Sequence, residues 1–249
     1  VRTVSARPRG TAPIMTVITT NPATGEELAS YAEHTEREVV TAIETADAQH
    51  HDWRQTSFDH RSRFLHRIAD GLDADIEAFA ILMADEMGKP IRAGRSEVEK
   101  CAVACRHYAD HAEGYLADLP IETGRAASYV HHEPLGVVLG VMPWNFSYYQ
   151  VLRFVAPNIM AGNVCLIKHA SNVPQCALAL ESLFREAGFP EGVYTNLLIS
   201  SRMVAMVLED KRVQGVSLTG SEAAGSKVAA HAGKLLKKAV MELTAFFIS

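Results

Sequence analysis

Gly136-Val137-Val138-Leu139-Gly140-Val141-Met142 runs into Pro143-Trp144-Asn145-Phe146, and after a helical stretch comes Asn163-Val164-Cys165-Leu166-Ile167. Both apolar runs are short, rich in β-branched residues and free of polar alternation, so they read as strands covered on both faces. The pattern continues downstream. Gln175 to Ala187 reads as a helix stopping at Gly188 and Pro190, while Val193 to Ile199, Gly215 to Leu218 and the stretch near Val240 read as strands with helices between. Strands taking turns with helices of this length predict parallel βαβ units in an α/β fold.

Upstream the reading is helical. Asn21-Pro22-Ala23-Thr24-Gly25-Glu26 is dense in turn formers and marks a hairpin near the start. Thr35 and Glu38 make a capping-box pattern, and Val39, Val40, Ile43 and Ala46 continue it as a helix toward His50. Helices are expected over Asp59 to Leu72, over Asp75 to Met87 with Gly88 and Pro90 as its stop, and over Ser96 to Leu116. Ala127 to His131 alternates like a strand.

A chain of 249 residues with 48% hydrophobic and 21% charged residues is long enough for a sizeable core. Its formal charge of −5 argues against nucleic acid, which needs a surplus of cations to displace counterions. The longest apolar stretches, such as Ala78 to Ala84, fall far below the roughly 18 residues of a membrane helix, so no membrane partner is expected. Four irregularly spaced cysteines do not make a disulfide framework and fit a reducing cytoplasm. The arginine-bearing residues 1–15 have no apolar core of a secretory signal and read as a disordered leader, with Met15 a candidate start.

Cys101, Cys105, His107 and His111 share one predicted helix, but the sulfur pair and the imidazole pair lie roughly 120° apart around it, so no metal site is expected. His131 and His132 point to opposite faces of a strand. Cys165 stands in an apolar run that raises its pKa, and Cys176 reads as a packing residue. Thr219-Gly220-Ser221-Glu222 opens a helix after a strand, which offers backbone N–H groups to a phosphate or is simply a cap. Pro143-Trp144-Asn145-Phe146 follows a strand at its carboxyl end, where ligands bind in open α/β sheets; alternatively Asn145 caps the next helix and Trp144 packs.

Glu133-Pro134-Leu135-Gly136-Val137-Val138, Pro143-Trp144-Asn145-Phe146, Ala161-Gly162-Asn163, Lys168-His169-Ala170-Ser171, Thr219-Gly220-Ser221 and Glu242-Leu243 occur together and in order. With these motifs the chain resembles the aldehyde dehydrogenase superfamily, in particular its NADP-linked succinate-semialdehyde branch, from about Asn21 to Leu243. The resemblance implies a Rossmann-like cofactor-binding domain with a parallel sheet and an N-terminal helical layer, formed discontinuously by residues 16–119 and 134–243. Residues 120–133 would form a hairpin for homo-oligomerisation. It further implies that Trp144 and Asn145 line the nicotinamide side of NADP, with NAD possible, and that Asn145 donates its amide to an oxyanion. Lys168 would hold the ribose hydroxyls, with His169, Ala170, Gly220, Ser221 and Leu243 also at the cofactor. Ser171 stands where many NAD-preferring relatives carry a glutamate, leaving room for a 2′-phosphate. Glu242 would be the general base that activates water. Arg153, eight residues after Asn145, pairs either with the carboxylate of a small-molecule aldehyde substrate or in a surface salt bridge.

The family's nucleophilic cysteine follows the general base, whereas the seven residues after Glu242 contain none. Thr244 and Ala245 replace a glycine pair, so residues 244–249 read as an aberrant tail after truncation or frameshift, with the catalytic domain missing. The expectation is an NAD(P)-dependent oxidation of an aldehyde by family, with this chain inactive. The alternatives are a noncatalytic dinucleotide-binding remnant or a structural partner of full-length relatives.

Overall fold

A computed structural model describes residues 16–124 and 127–243; the expected leader at 1–15 and tail at 244–249 lie outside the described residues. Strands β1 (Thr16–Thr20) and β2 (Glu27–Ala32) pair antiparallel. The turn between them forms because the Asn21 side chain accepts from Ala23 N at 2.9 Å and Gly25 takes φ +76°. Helix α1 (Glu36–Trp53) opens on the Thr35–Glu38 capping box in full. Three more helices complete the layer: α2 (Phe58–Ala74), α3 (Ile76–Met87) and α4 (Ile91–Tyr115). Gly88 ends α3 in the left-handed region, at φ +72°. Helix α4 starts five residues before the expected Ser96, because Pro90, read as a stop, serves as the N-cap of the following helix. Its buried stripe, Val98, Cys101, Ala102, Cys105, Ala109 and Ala112, keeps helical spacing throughout.

The hairpin expected at 120–133 is reduced to β3 (Leu119–Pro120) and β4 (Tyr129–Val130), both exposed. The alternation of Ala127 to His131 yields only two paired residues: Pro120 lacks an N–H for the ladder, and the paired residues are exposed rather than packed against a second layer among the described residues. At its base His131 bridges Asp118 at 2.5 Å and Glu133 at 3.3 Å.

The second half is a five-stranded, wholly parallel sheet made of β5 (Val137–Val141), β6 (Val164–Lys168), β7 (Tyr194–Asn196), β8 (Val213–Gly220) and β9 (Lys238–Leu243), in the order β7-β6-β5-β8-β9. Helices α5 (Tyr149–Met160), α6 (Pro174–Glu186), α7 (Val204–Glu209) and α8 (Glu222–Lys234) alternate with the strands. Strand β7 is shorter than the expected Val193 to Ile199, because at this sheet edge pairing ends once Leu197 N has reached Ile167 O at 2.7 Å. The two ladders of β5 lie on opposite sides, so Val137 and Leu139 are fully buried at the centre. Trp53 Nε1 donates to Ile159 O at 3.1 Å and fastens the helical layer to α5. No helix among the described residues is long and apolar enough to cross a membrane.

Leu139→Ala removes a fully buried side chain from the central strand. Stability should fall by about 3 kcal/mol in urea unfolding, while Val103→Ala, 66% exposed, should leave the midpoint almost unchanged.

Candidate functional site at the carboxyl edge of the sheet

From β5 the chain winds outward through β6 and β7 on one side, then returns to lay β8 and β9 on the other. The reversal falls between β5 and β8, where a doubly wound sheet opens a crevice at its carboxyl end. Parallel registers align Val141 with Lys168 on one side and with Leu218 on the other, and Thr219 and Gly220 with Glu242 and Leu243. The Trp144–Asn145 turn, Lys168 and the residues after it, Gly220–Ser221 and Glu242–Leu243 therefore share one edge of the sheet.

The two readings of Pro143-Trp144-Asn145-Phe146 separate cleanly. Asn145 does not cap α5: the first N–H groups of that helix, at Tyr148 and Tyr149, donate to Glu97 Oε1 at 2.9 and 3.0 Å. Glu97 is 4% exposed, and its other oxygen meets Lys89 Nζ. Lys89 also donates to Asn145 O at 2.8 Å and lies 4.2 Å from the centre of the Phe146 ring. Ser147 Oγ donates to Trp144 O at 2.8 Å. With its backbone held on both sides, the turn leaves the Asn145 carboxamide without a hydrogen bond among the described residues and Trp144 43% exposed.

Lys168 ends β6 at 8% exposure, and its ammonium has no hydrogen-bond or ion-pair partner among the described residues. Desolvation lowers its pKa, offset in part by the charge of Glu33. Ser171, three residues on, is exposed, and with His169 and Ala170 it lines a small cavity beside Leu197 and Ile199. His169 itself is turned inward. Its Nε2 meets Ser147 O at 2.7 Å and its Nδ1 accepts from Ala170 N at 2.9 Å, so the ring is neutral and burial pushes its pKa down to about 4. Both ring nitrogens are thus occupied, and the ring ties the β6 exit to the turn before α5, although the residue still lines the cavity with Ser171.

Ser221 caps α8 by accepting from Ala224 N at 3.3 Å. Gly220 needs to be glycine for no internal reason, since its φ is not positive and an added Cβ would meet only Leu218 Cδ2 at 3.6 Å. That leaves close approach from outside as the physical use of a bare backbone there. Gly225, one turn into α8, packs against the Leu243 side chain, which would have to shift to admit a Cβ there.

Arg153 and Glu242, read separately from the sequence, form an ion pair with each other, both side chains 42% exposed. They stand in an apolar groove lined by Leu135, Val138, Phe154, Val216 and Val240. This groove and the cavity at Ser171 share no lining residue, so it is the edge of the sheet that joins the expected residues. All four cysteines are free and buried. Burial pushes the Cys105 thiol up to about 12 and raises Cys101, Cys165 and Cys176 as well, so none is a ready thiolate. Cys101 and Cys105 face the core while His107 and His111 stack on each other at the surface, 4.6 Å between ring centres.

Lys89, Glu97 and Glu86 escaped the sequence reading. Glu86, 2% exposed, accepts from Gln175 N and Cys176 N at 2.8 Å each and so caps α6 from α3. The signal was available: each glutamate stands on the apolar stripe of its helix, Glu86 three residues after Met83 and Glu97 four before Cys101.

A model described as the aldehyde dehydrogenase family matches residues 11–245. A Synechocystis protein named a probable NADP(+) succinate-semialdehyde dehydrogenase is 46% identical over 229 residues, which is 92% of this chain and 50% of that protein. A Mycobacterium tuberculosis protein named NADP(+) succinate-semialdehyde dehydrogenase 1 is 48% identical over 232 residues, 92% of this chain and 51% of its own. The crystal structure of a Streptococcus pyogenes succinic semialdehyde dehydrogenase with NADP+ superposes with a TM-score of 0.89 at 40% identity, covering 91% of this chain and 50% of that one. The chain thus spans about half the length of the curated relatives it matches.

The buried neutral His169 predicts a pH dependence of stability. Its folded pKa of about 4 lies below the 6.5 of an ordinary histidine, so its stabilisation is complete above pH 6.5 and is lost as pH falls toward 4. In urea unfolding between pH 7 and 4, His169→Gln should show a shallower loss of stability than the unaltered chain; identical slopes would contradict the assignment.

Proposed function

Since the chain belongs to the aldehyde dehydrogenase family, we propose that it binds NADP across the carboxyl edge of its sheet and serves the NADP-linked oxidation of an aldehyde, succinate semialdehyde in the first instance. The observation that carries this reading is Lys168: a lysine only 8% exposed, its pKa lowered by desolvation and its ammonium without a hydrogen-bond partner among the described residues, is costly unless a ligand supplies one. The residues at hand fit the cofactor. Lys168 would take the ribose hydroxyls, Ser171 would leave the 2′-phosphate unopposed, and the bare backbone of Gly220 with Ser221 would admit the pyrophosphate. Trp144 and Leu243 would border the nicotinamide, and Ala170 the adenosine side. NAD would bind without the 2′-phosphate contact.

NADP, when bound, supplies the hydride acceptor. The free carboxamide of Asn145 would donate to the oxyanion that forms when a nucleophile adds to the aldehyde carbonyl, where a preset donor is worth most. Glu242 would take the proton of the attacking water, for which its carboxylate must leave Arg153. The guanidinium that holds Glu242 would equally hold the distal carboxylate of a semialdehyde acid. No cysteine of this chain would serve as nucleophile, because all four thiols are buried with raised pKa. The chain by itself is therefore a dinucleotide-binding segment without turnover. Exposed Leu119, Ile121, Tyr129 and Val130 on the hairpin favour its use in homo-oligomerisation, and four reduced thiols favour the cytoplasm.

Calorimetry with NADP and NAD tests the binding. NADP should bind, Lys168→Met should weaken it at least about tenfold while raising the thermal midpoint in the absence of ligand, and Ser171→Glu should lower affinity for NADP more than for NAD. Absence of heat and of thermal stabilisation with NADP would overturn the cofactor reading. With succinate semialdehyde and NADP, absorbance at 340 nm should stay flat, and steady turnover would overturn the thiol argument.

A further inference from the structure

Three helices of eight residues or more follow a strand of the parallel sheet, and each begins at the carboxyl edge: α5, α6 and α8. In such a sheet the start of the helix after the central strand is the ordinary seat of a dinucleotide phosphate, because unpaired N–H groups and the helix dipole both favour an anion. Here that seat, at α5, is filled from within. Glu97 Oε1 accepts from both Tyr148 N and Tyr149 N, at 2.9 and 3.0 Å, and the glutamate side chain is 1% exposed. The start of α6 is filled in the same manner by Glu86, which takes Gln175 N and Cys176 N. At α8 Ser221 takes Ala224 N; Glu222 stands in the first turn, but no carboxylate accepts from its first N–H groups among the described residues.

We infer that Glu97, held by Lys89, is a built-in stand-in for phosphate at the start of α5, a positioning pair that fixes the Trp144–Asn145 turn. Lys89 makes three contacts, with the Glu97 carboxylate, with Asn145 O at 2.8 Å and with the face of the Phe146 ring at 4.2 Å. Two of them hold the turn directly, so the carboxylate sets both the start of the helix and the backbone that carries the Asn145 amide. A free phosphate at α5 would instead lie against the turn and compete with the cofactor. This inference rests on the reading that the Asn145 amide faces the reacting centre.

The test uses inorganic phosphate rather than NADP, so that its failure is separate from failure of the cofactor reading, which shows as absent NADP heat. In the 15N-labelled full chain, phosphate should leave the Tyr148 and Tyr149 amide resonances in place. In Glu97→Ala it should move them saturably and return the Asn145 resonances toward their unaltered positions. A residue needed only for packing would not be rescued by an anion. Glu97→Gln, which keeps an acceptor oxygen and leaves no space for the ion, should not respond. Should Glu97→Ala fail to fold, phosphate should restore its fold better than chloride at equal ionic strength. A folded Glu97→Ala whose Tyr148 and Tyr149 ignore phosphate, an unaltered chain that responds equally, or an unfolded variant that phosphate does not rescue would each overturn the assignment.

Discussion

A carboxylate buried to 4% exposure survives only where every lone pair facing the interior meets a donor, and Glu97 meets this condition by reaching from α4 to the start of α5. Its second oxygen is answered by Lys89 from the loop after α3. Glu86 meets the same condition at α6. These two glutamates make the helical layer and the sheet mutually dependent, since withdrawing either would leave N–H groups buried and unpaired on one side and a charge on the other.

The candidate site shows what this arrangement permits. Three polar side chains beneath the carboxyl edge are satisfied internally: Glu97 by helix N–H groups, His169 by Ser147 O and Ala170 N, Ser147 Oγ by Trp144 O. The Asn145 carboxamide and the Lys168 ammonium have no hydrogen-bond partner among the described residues, and Gly220 presents a backbone without a side chain at the same edge. The paired carboxylate and imidazole beneath hold the Trp144–Asn145 turn in place, which is the condition for a preset donor to act without reorganising. Arg153 and Glu242 stand apart in their own groove and neutralise each other.

Much of this was legible along the chain because its causes are local. The capping box at Thr35 and Glu38, the left-handed stop at Gly88 and the doubly covered strands at Val137 and Val164 each follow from residues a few positions apart. The motif residues were legible too, through a resemblance that Lys168, Ser171 and Gly220 carry in order. Glu97 and Glu86 were not, although each breaks an apolar stripe. Their partners at Tyr148, Tyr149, Gln175 and Cys176 lie 51, 52, 89 and 90 residues away, and nothing local names a partner at that range. The inward turn of His169 and the pairing of Arg153 with Glu242 were hidden for the same reason.

By itself the amino-acid sequence determined the element types, the wound α/β architecture, the motifs along one sheet edge and the absence of a ready thiolate at Cys165, because periodicity, caps and apolar runs act over one or two turns of chain. Only the tertiary structure decided which of the motif residues are free to meet a ligand. Whether Asn145 caps a helix or offers its amide, whether His169 reaches out or braces the turn, and which helix start remains open to an anion all depend on carboxylates brought in from the helical layer. Hydrogen-bond partners at that separation exist only once the two halves have packed together.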